Sequence, residues 1–451
     1  MKQIFRRGSK RTVALLLSLL AVPEAAAQVP EAAASPETLF RNVRVLDVVK
    51  GQLGAPTNVL VADGRIARIG GDVTPRGQAK IIEGGGRTLM PGMIDMHVHL
   101  TFSALTMQQM MSPDLTPDKA EAAAGRQAHA MLLRGFTSVR DAGGPVFGLK
   151  RRIDAGQLVG PRVWPSGAVI SQTSGHGDFR MPNERSRKFG GGVSRSELFG
   201  ANFIADGTSE VLTATRENLR FGASQIKLMA GGGTSSDYDP IDVTQYTFEE
   251  MKAAVDAAED WNSYVMVHAY TPRAVRRAID AGVKCIEHGH LLDEATLRLM
   301  ADKGIWLSTQ TLSDDSPNVD PARREKRREI LANNAALWQN AKQLGVKLAW
   351  GTDFLFDPAL NAEQNDYLVR LKSWFTPAEI VKMVTYDNAQ LLALSGPRSP
   401  YRGALGVVQE GALADLLLVD GNPLAQIDLL GDPKANFDVI MKGGTLYKGV
   451  D

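Results

Sequence analysis

Cysteine is nearly absent, with Cys285 the only one in 451 residues. No intrachain disulfide can form, so the fold must be held by its core and by whatever it binds. Neither sign of charge dominates: 51 Lys and Arg stand against 50 Asp and Glu, a net charge of +1. Such a balance provides no field to draw the chain to nucleic acid or to an anionic membrane. Long hydrophobic runs are missing as well. The apolar stretch near the start, residues 13–22, has ten residues, whereas a spanning helix needs about twenty. Histidine is scarce, at positions 97, 99, 129, 176, 268, 288 and 290 only, so any grouping of histidines carries information.

What is present is the composition of an ordinary globular protein, 44% hydrophobic and 22% charged, on a chain long enough for a large core. The first residues stand apart. Lys2, Arg6, Arg7, Lys10 and Arg11 precede the ten-residue apolar run, and Ala25 and Ala27 fit a small-x-small cleavage site. This reads as a secretory signal over residues 1–27, removed to leave a periplasmic or secreted protein with no membrane attachment. Arg6-Arg7 hints at the twin-arginine route, but the residues after it fit that motif poorly.

Two kinds of pattern follow. Short β-like runs cover 40–48, 58–62, 65–69 and 80–83, with further runs at 414–419 and 437–442, separated by turns such as Asp63-Gly64. Between these ends the pattern becomes strand, then helix, repeated. Eight apolar strand-like runs cover 89–97, 137–141, 162–170, 225–229, 264–268, 284–288, 305–309 and 347–350. Helical stretches such as 119–133, 248–261, 272–281, 293–301 and 322–344 lie between most of them. Thr247 with Glu250 forms a capping box, and Thr271-Pro272 is a cap followed by proline. The expected fold class is therefore α/β: a (β/α)8 barrel over residues 89–398, flanked by β-rich segments at 28–88 and 399–451.

Chemistry in such barrels sits at the C-terminal ends of the strands. Strand one ends in Asp95-Met96-His97-Val98-His99, and residues two apart on a strand point to the same side. Strand five ends in His268, strand six in Glu287-His288-Gly289-His290, and strand eight in Gly351-Thr352-Asp353. Lys227 lies inside the apolar run of strand four. Lysine is rarely buried unless paired or modified, so Lys227 is either a salt-bridged or snorkelling side chain, or an amine carboxylated by CO2 that could bridge two cations. Four of the seven histidines end barrel strands. Imidazole and carboxylate donors together suit Zn, Mn, Fe, Co or Ni better than Ca or Mg.

On these residues the chain resembles the amidohydrolase superfamily in its binuclear form. The segment Gly406-Val407-Val408-Gln409-Glu410-Gly411-Ala412-Leu413-Ala414-Asp415-Leu416 is similar to that family's closing β-sandwich segment. Ile286-Glu287-His288-Gly289, Ser174-Gly175-His176-Gly177 and Lys227-Leu228-Met229-Ala230-Gly231-Gly232-Gly233 resemble the branch that holds bacterial ochratoxin-hydrolysing amidohydrolases and prolidase-like Xaa-Pro dipeptidases. The resemblance implies a small β-sandwich built from the two terminal segments. It implies two divalent cations, with zinc the first choice: His97, His99 and Asp353 hold one, His268 and His288 the other, and a carboxylated Lys227 bridges them. The implied reaction is attack of a metal-bridging hydroxide on an amide to a C-terminal amino acid, with Asp353 moving the proton and His176 stabilising the oxyanion. Ochratoxin A, an amide of phenylalanine, is the expected substrate, within a class of N-acyl amino acids and dipeptides. The same resemblance implies a homo-oligomer, up to an octamer. The alternatives are a cyclic-amide hydrolase or deaminase, against which Lys227 argues, and a non-catalytic periplasmic metal- or ligand-binding protein, against which Asp353 argues.

Several residues divide between a functional and a bland reading. Tyr238, in the loop beyond strand four, either binds a substrate carboxylate or is an exposed loop tyrosine. His290 either touches substrate or caps the next helix. His129 reads as packing or surface and Asp141 as polar barrel structure. The glycines 231–233 lack the Gly-Lys-Ser/Thr of a phosphate loop. The charged run 323–329 reads as a solvated helix face with i, i+4 pairing.

Overall fold

The computed structural model describes residues 37–236, 238–313 and 321–449. The expected signal, residues 1–27, lies outside the described residues. Five strands open the fold: β1 (Glu37–Asp47), β2 (Gln52–Ala62), β3 (Arg65–Gly70), β4 (Ala79–Glu83) and β5 (Thr88–Pro91). The barrel strands follow as β6 (Met93–Val98), β7 (Phe136–Asp141), β8 (Arg162–Pro165), β9 (Val169–Ser171), β10 (Asn202–Ile204), β11 (Ile226–Met229), β12 (Val265–Ala269), β13 (Cys285–His288), β14 (Trp306–Thr309) and β15 (Lys347–Trp350). The chain closes with β16 (Leu416–Val419), β17 (Phe437–Lys442) and β18 (Thr445–Lys448).

The two chain ends share one sheet, in the order β18-β17-β16-β5-β1-β2-β3, with β4 on β1. The sheet turns back on itself, because the Ile66 N–H donates to Ala412 O and the Ala414 N–H to Gly64 O, each at 2.9 Å. Inside it Phe40, Val43, Val59, Ile66, Leu89, Leu416, Val439 and Met441 are fully buried. This is the expected sandwich.

The barrel is parallel throughout: β6 pairs β7 and β7 pairs β8, while β11 through β15 pair in sequence and β9 pairs β11. The ring closes where the Asp353 N–H, just past β15, donates to His97 O at 2.7 Å. Parallel strands buried on both faces need apolar residues at nearly every position, and β7, β11, β12, β13 and β14 are buried at every residue. Helices pack outside through side chains such as Val255, Val275, Ile279 and Leu297.

Two strand expectations are corrected. The run 89–97 is two strands: β5 joins the terminal sheet, and only β6 enters the barrel. The run 162–170 is also divided, with β8 on β7 and β9 on β10 and β11. Pro91-Gly92 and Pro165-Ser166-Gly167 are the breaks within these runs; the strand pairing decides which sheet each half joins. The charged run 323–329 is corrected too. It lies on the helix Pro321–Gln343, where Arg323, Lys326, Arg327 and Ile330 turn inward together and Arg324, Glu325, Arg328 and Glu329 outward. Residues three and four apart share a helix face, so a run uniform in charge is divided in burial. Among the described residues no helix is long and apolar enough to cross a membrane.

Candidate metal centre

The strand ends bring the expected residues together. His97 lies on β6, Lys227 on β11, His268 on β12 and His288 at the end of β13, all nearly fully buried. His99 follows β6 and Asp353 follows β15. The rings of His97 and His99 lie 5.2 Å apart between centroids, those of His97 and His288 5.1 Å, and those of His268 and His288 4.5 Å. Asp353 Oδ1 is 3.4 Å from the Nε2 atoms of both His97 and His99, and Oδ2 is 3.7 Å from His288 Nδ1. Lys227 Nζ is 3.4 Å from His97 Nε2.

Backbone geometry turns these side chains over the mouth. His288 and Asp353 both adopt left-handed conformations, with φ of 77° and 54°, which are uncommon for non-glycine residues and are held here by the surrounding packing. Gly351 allows β15 to approach β6 so closely that a Cβ would lie 2.3 Å from His97 N. Gly233 admits the His176 ring, whose Cε1 would stand 2.0 Å from a Cβ there.

Each imidazole is oriented through a second contact. His97 Nδ1 is 2.7 Å from Glu287 Oε2, His99 Nδ1 2.8 Å from Gly143 O, His268 Nε2 2.9 Å from Gly232 O, and His288 Nδ1 2.9 Å from Gln310 Oε1. Burial, with Lys227 adding to it, lowers His97 to about 4. Burial and the neighbouring His176, His288 and Lys227 hold His268 well below its ordinary range. Burial does the same for His288, against the pull of Asp353. Neutral imidazoles are the form that ligates a cation. For Asp353, burial is outweighed by the imidazoles of His97, His99 and His288, so it is held as a carboxylate far below the usual range. Burial lowers Lys227 to about 8, although Glu287 and Asp353 oppose the shift.

The donor set fits a divalent cation: one ligand atom each from His97, His288 and Asp353 lie within 4.8 Å of one another.

His176, in the loop after β9, stacks on His268 with centroids 4.0 Å apart. Its Nδ1 faces Ser236 Oγ at 2.8 Å and Asp239 Oδ2 at 3.2 Å. His290 is buried, with Nε2 3.3 Å from Thr309 Oγ1, and it lines the cavity above the cluster. Tyr238 is 46% exposed and borders a separate surface depression with Pro240 and Lys326. Asp141 accepts from the Leu100 and Gly143 N–H groups, a structural role.

Above the cluster opens a cavity of about 730 Å³. Phe102, Phe179, Phe356 and Leu360 form apolar wall, and Arg323 and Arg327 also line it. Tyr270 stands over His288, centroids 5.2 Å apart, within electrostatic reach of both Asp353 and Arg327. Sequence reasoning missed Tyr270, Arg327, Gln310, Arg140 and Glu287. Glu287 and Arg140 each left a local signal, a charged residue inside an apolar strand.

The family model for the amidohydrolase family matches residues 88–450. The chain belongs to the amidohydrolase family. The ochratoxinase of Aspergillus niger is 34% identical over 372 residues, 80% of this amidohydrolase and 76% of that protein. A prolidase solved with N-methylphosphonate-L-proline superposes with a TM-score of 0.84 at 34% identity, over 92% of this chain and 100% of that one. A Xaa-Pro dipeptidase solved with methionine in its active site gives a TM-score of 0.78 at 28% identity, over 92% and 100%. This amidohydrolase is thus a hydrolase acting on amide bonds, with a His/Asp group suited to a metal ion.

Proposed function

We propose that this amidohydrolase cleaves the amide bond joining an acyl group to an amino acid with a free carboxylate. The observation that carries the reading is the cluster of His97, His99, Lys227, His268, His288 and Asp353 in a cavity that arginines also line. In this reading His97, His99 and Asp353 would hold one cation, and His268 and His288 would hold the other. Zinc suits this imidazole and carboxylate set. Lys227 supports a bridge only as a carboxylated amine, since an ammonium 3.4 Å from a ligand nitrogen would repel a cation.

When bound, the cations supply Lewis acidity and a water of lowered pKa. Asp353, already a carboxylate, accepts the proton of the attacking water and returns it to the leaving nitrogen. Asp239 fixes the Nδ1 edge of His176, whose ring offers a hydrogen bond to the carbonyl oxygen as that oxygen gains charge. The phenyl groups of Phe102, Phe179 and Phe356 offer surface to an aromatic side chain, and a guanidinium matches a carboxylate in shape and charge.

Ochratoxin A is the proposed substrate, within the wider class of N-acyl amino acids and dipeptides. The activities that the ochratoxinase and prolidase relatives are named for support that class. The basic start and the apolar run of residues 13–22 support export to the periplasm or medium. A homo-oligomer, up to an octamer, belongs to the same proposal. The test is release of free amino acid from ochratoxin A, N-acetylphenylalanine and Xaa-Pro dipeptides, with metal-replete and chelator-treated enzyme. Chelator-sensitive release is expected. Silence on the whole panel with cations bound would reject the proposal.

A further inference from the structure

Arg140 of β7 and Glu287 of β13 form an ion pair at the centre of the barrel. Both side chains are wholly buried, with Nη2 2.6 Å from Oε1. The guanidinium also donates to Met96 O at 2.7 Å, to Tyr264 Oη at 3.1 Å and to Ser308 Oγ at 3.2 Å, so it is anchored to several strands. A buried ion pair is costly to desolvate, and apolar side chains of similar volume often serve stability as well. Core packing alone therefore does not account for it.

The second oxygen of Glu287 points at the metal cluster, 2.7 Å from His97 Nδ1. Its other oxygen is held against the buried Arg140 guanidinium, an always-charged partner that favours the carboxylate form. An ionised carboxylate only accepts hydrogen bonds. The His97 proton must therefore sit on Nδ1, which leaves the lone pair on Nε2. That nitrogen is the one 3.4 Å from Asp353 Oδ1 and from Lys227 Nζ. The comparable contacts of His99 and His268 are backbone carbonyls, and that of His288 is an amide oxygen. A bond to an ionised acceptor is stronger than these.

We propose that the Arg140–Glu287 pair is a positioning device that sets the tautomer and ring orientation of His97, and through them the affinity of the centre for its cation. Arg140 neutralises and pins Glu287; Glu287 holds His97. The inference rests on the reading of His97 as a ligand.

The test uses metal-free full-length protein titrated with Zn²⁺ alone against a chromogenic chelator. Arg140→Met with Glu287→Leu removes both charges together and leaves no buried ion unpaired. Loss of such a partner typically costs about 10- to 100-fold in metal affinity, and that loss is expected here, with the unfolding temperature of the metal-free protein recorded as the control for packing. His97→Ala serves as the reference. If His97→Ala weakens Zn²⁺ binding and the double variant stays within about twofold of wild type, the positioning role is overturned and the ligand reading stands. If His97→Ala binds as wild type does, both fall. Nitrogen-15 imidazole spectra of the metal-free wild type, with the His97 signal assigned by its loss in His97→Ala, need no folded double variant. A proton on Nδ1 supports the inference, and a proton on Nε2 overturns it.

Discussion

Arg327 offers the sharpest test of substrate class. Its Nη2 donates to Ser313 O at 3.0 Å, which holds the side chain where it lines the cavity. Five N–H donors serve a guanidinium, and this backbone contact, the one among the described residues, uses one of them. Arg327→Gln keeps much of the length and polarity and removes the charge. A hydrogen bond to a charged group contributes about 1.5–3 kcal/mol, which at about 1.4 kcal/mol per factor of ten is roughly 10- to 150-fold in affinity. Arg327 is half-buried rather than sealed from water, so solvent screening places the expected loss in the lower part of that range, about 10- to 30-fold. The assay compares kcat/KM for an N-acyl-phenylalanine with that for its C-terminal carboxamide. The loss should appear for the free acid, mainly in KM, and be absent for the carboxamide. Equal losses on both substrates, or none on either, would refute carboxylate recognition by this residue.

Elemental analysis of purified protein should find close to two equivalents of a transition metal, and a metal-free preparation that kept full activity would contradict the reading of the cluster. Lys227→Ala should lose both activity and metal, with partial recovery in short-chain carboxylic acids; wild-type metal content and rate in this variant would exclude a bridging role. Asp353→Asn should lower kcat by about 10²- to 10⁴-fold with metal partly retained, as removal of a general acid–base group does. His176→Ala should keep its full metal content while kcat falls by about 10²- to 10³-fold; metal lost from this variant would make His176 a ligand, and an unchanged rate would make it loop structure.

Much of the centre was legible because parallel barrel strands are apolar along their length. Against that background His97, His268, His288 and Asp353 stand out as polar ends of apolar runs, and Lys227 as a charge within one. The register of the barrel then brings all of them to one mouth, as alternation of strand and helix implies. Pro91-Gly92 breaks the run 89–97, but which sheet each half joins was not legible, since β5 and β6 are both buried at every residue.

The sequence by itself determined which residues are chemical and on which end of each strand they sit, because burial and strand period are local properties of the chain. Only the tertiary structure decided who faces whom. Glu287 and Arg140 are 147 positions apart and meet only because β7 and β13 face across the closed barrel. Tyr270 rather than Tyr238 stands over the cluster, because Tyr270 follows the end of β12 at the mouth while Tyr238 is exposed. Arg327 faces the cavity and Arg328 faces water, although the two are neighbours of the same charge. A hundred-degree step along a helix sets that difference, and the position of the helix against the barrel decides which side of it is the inside.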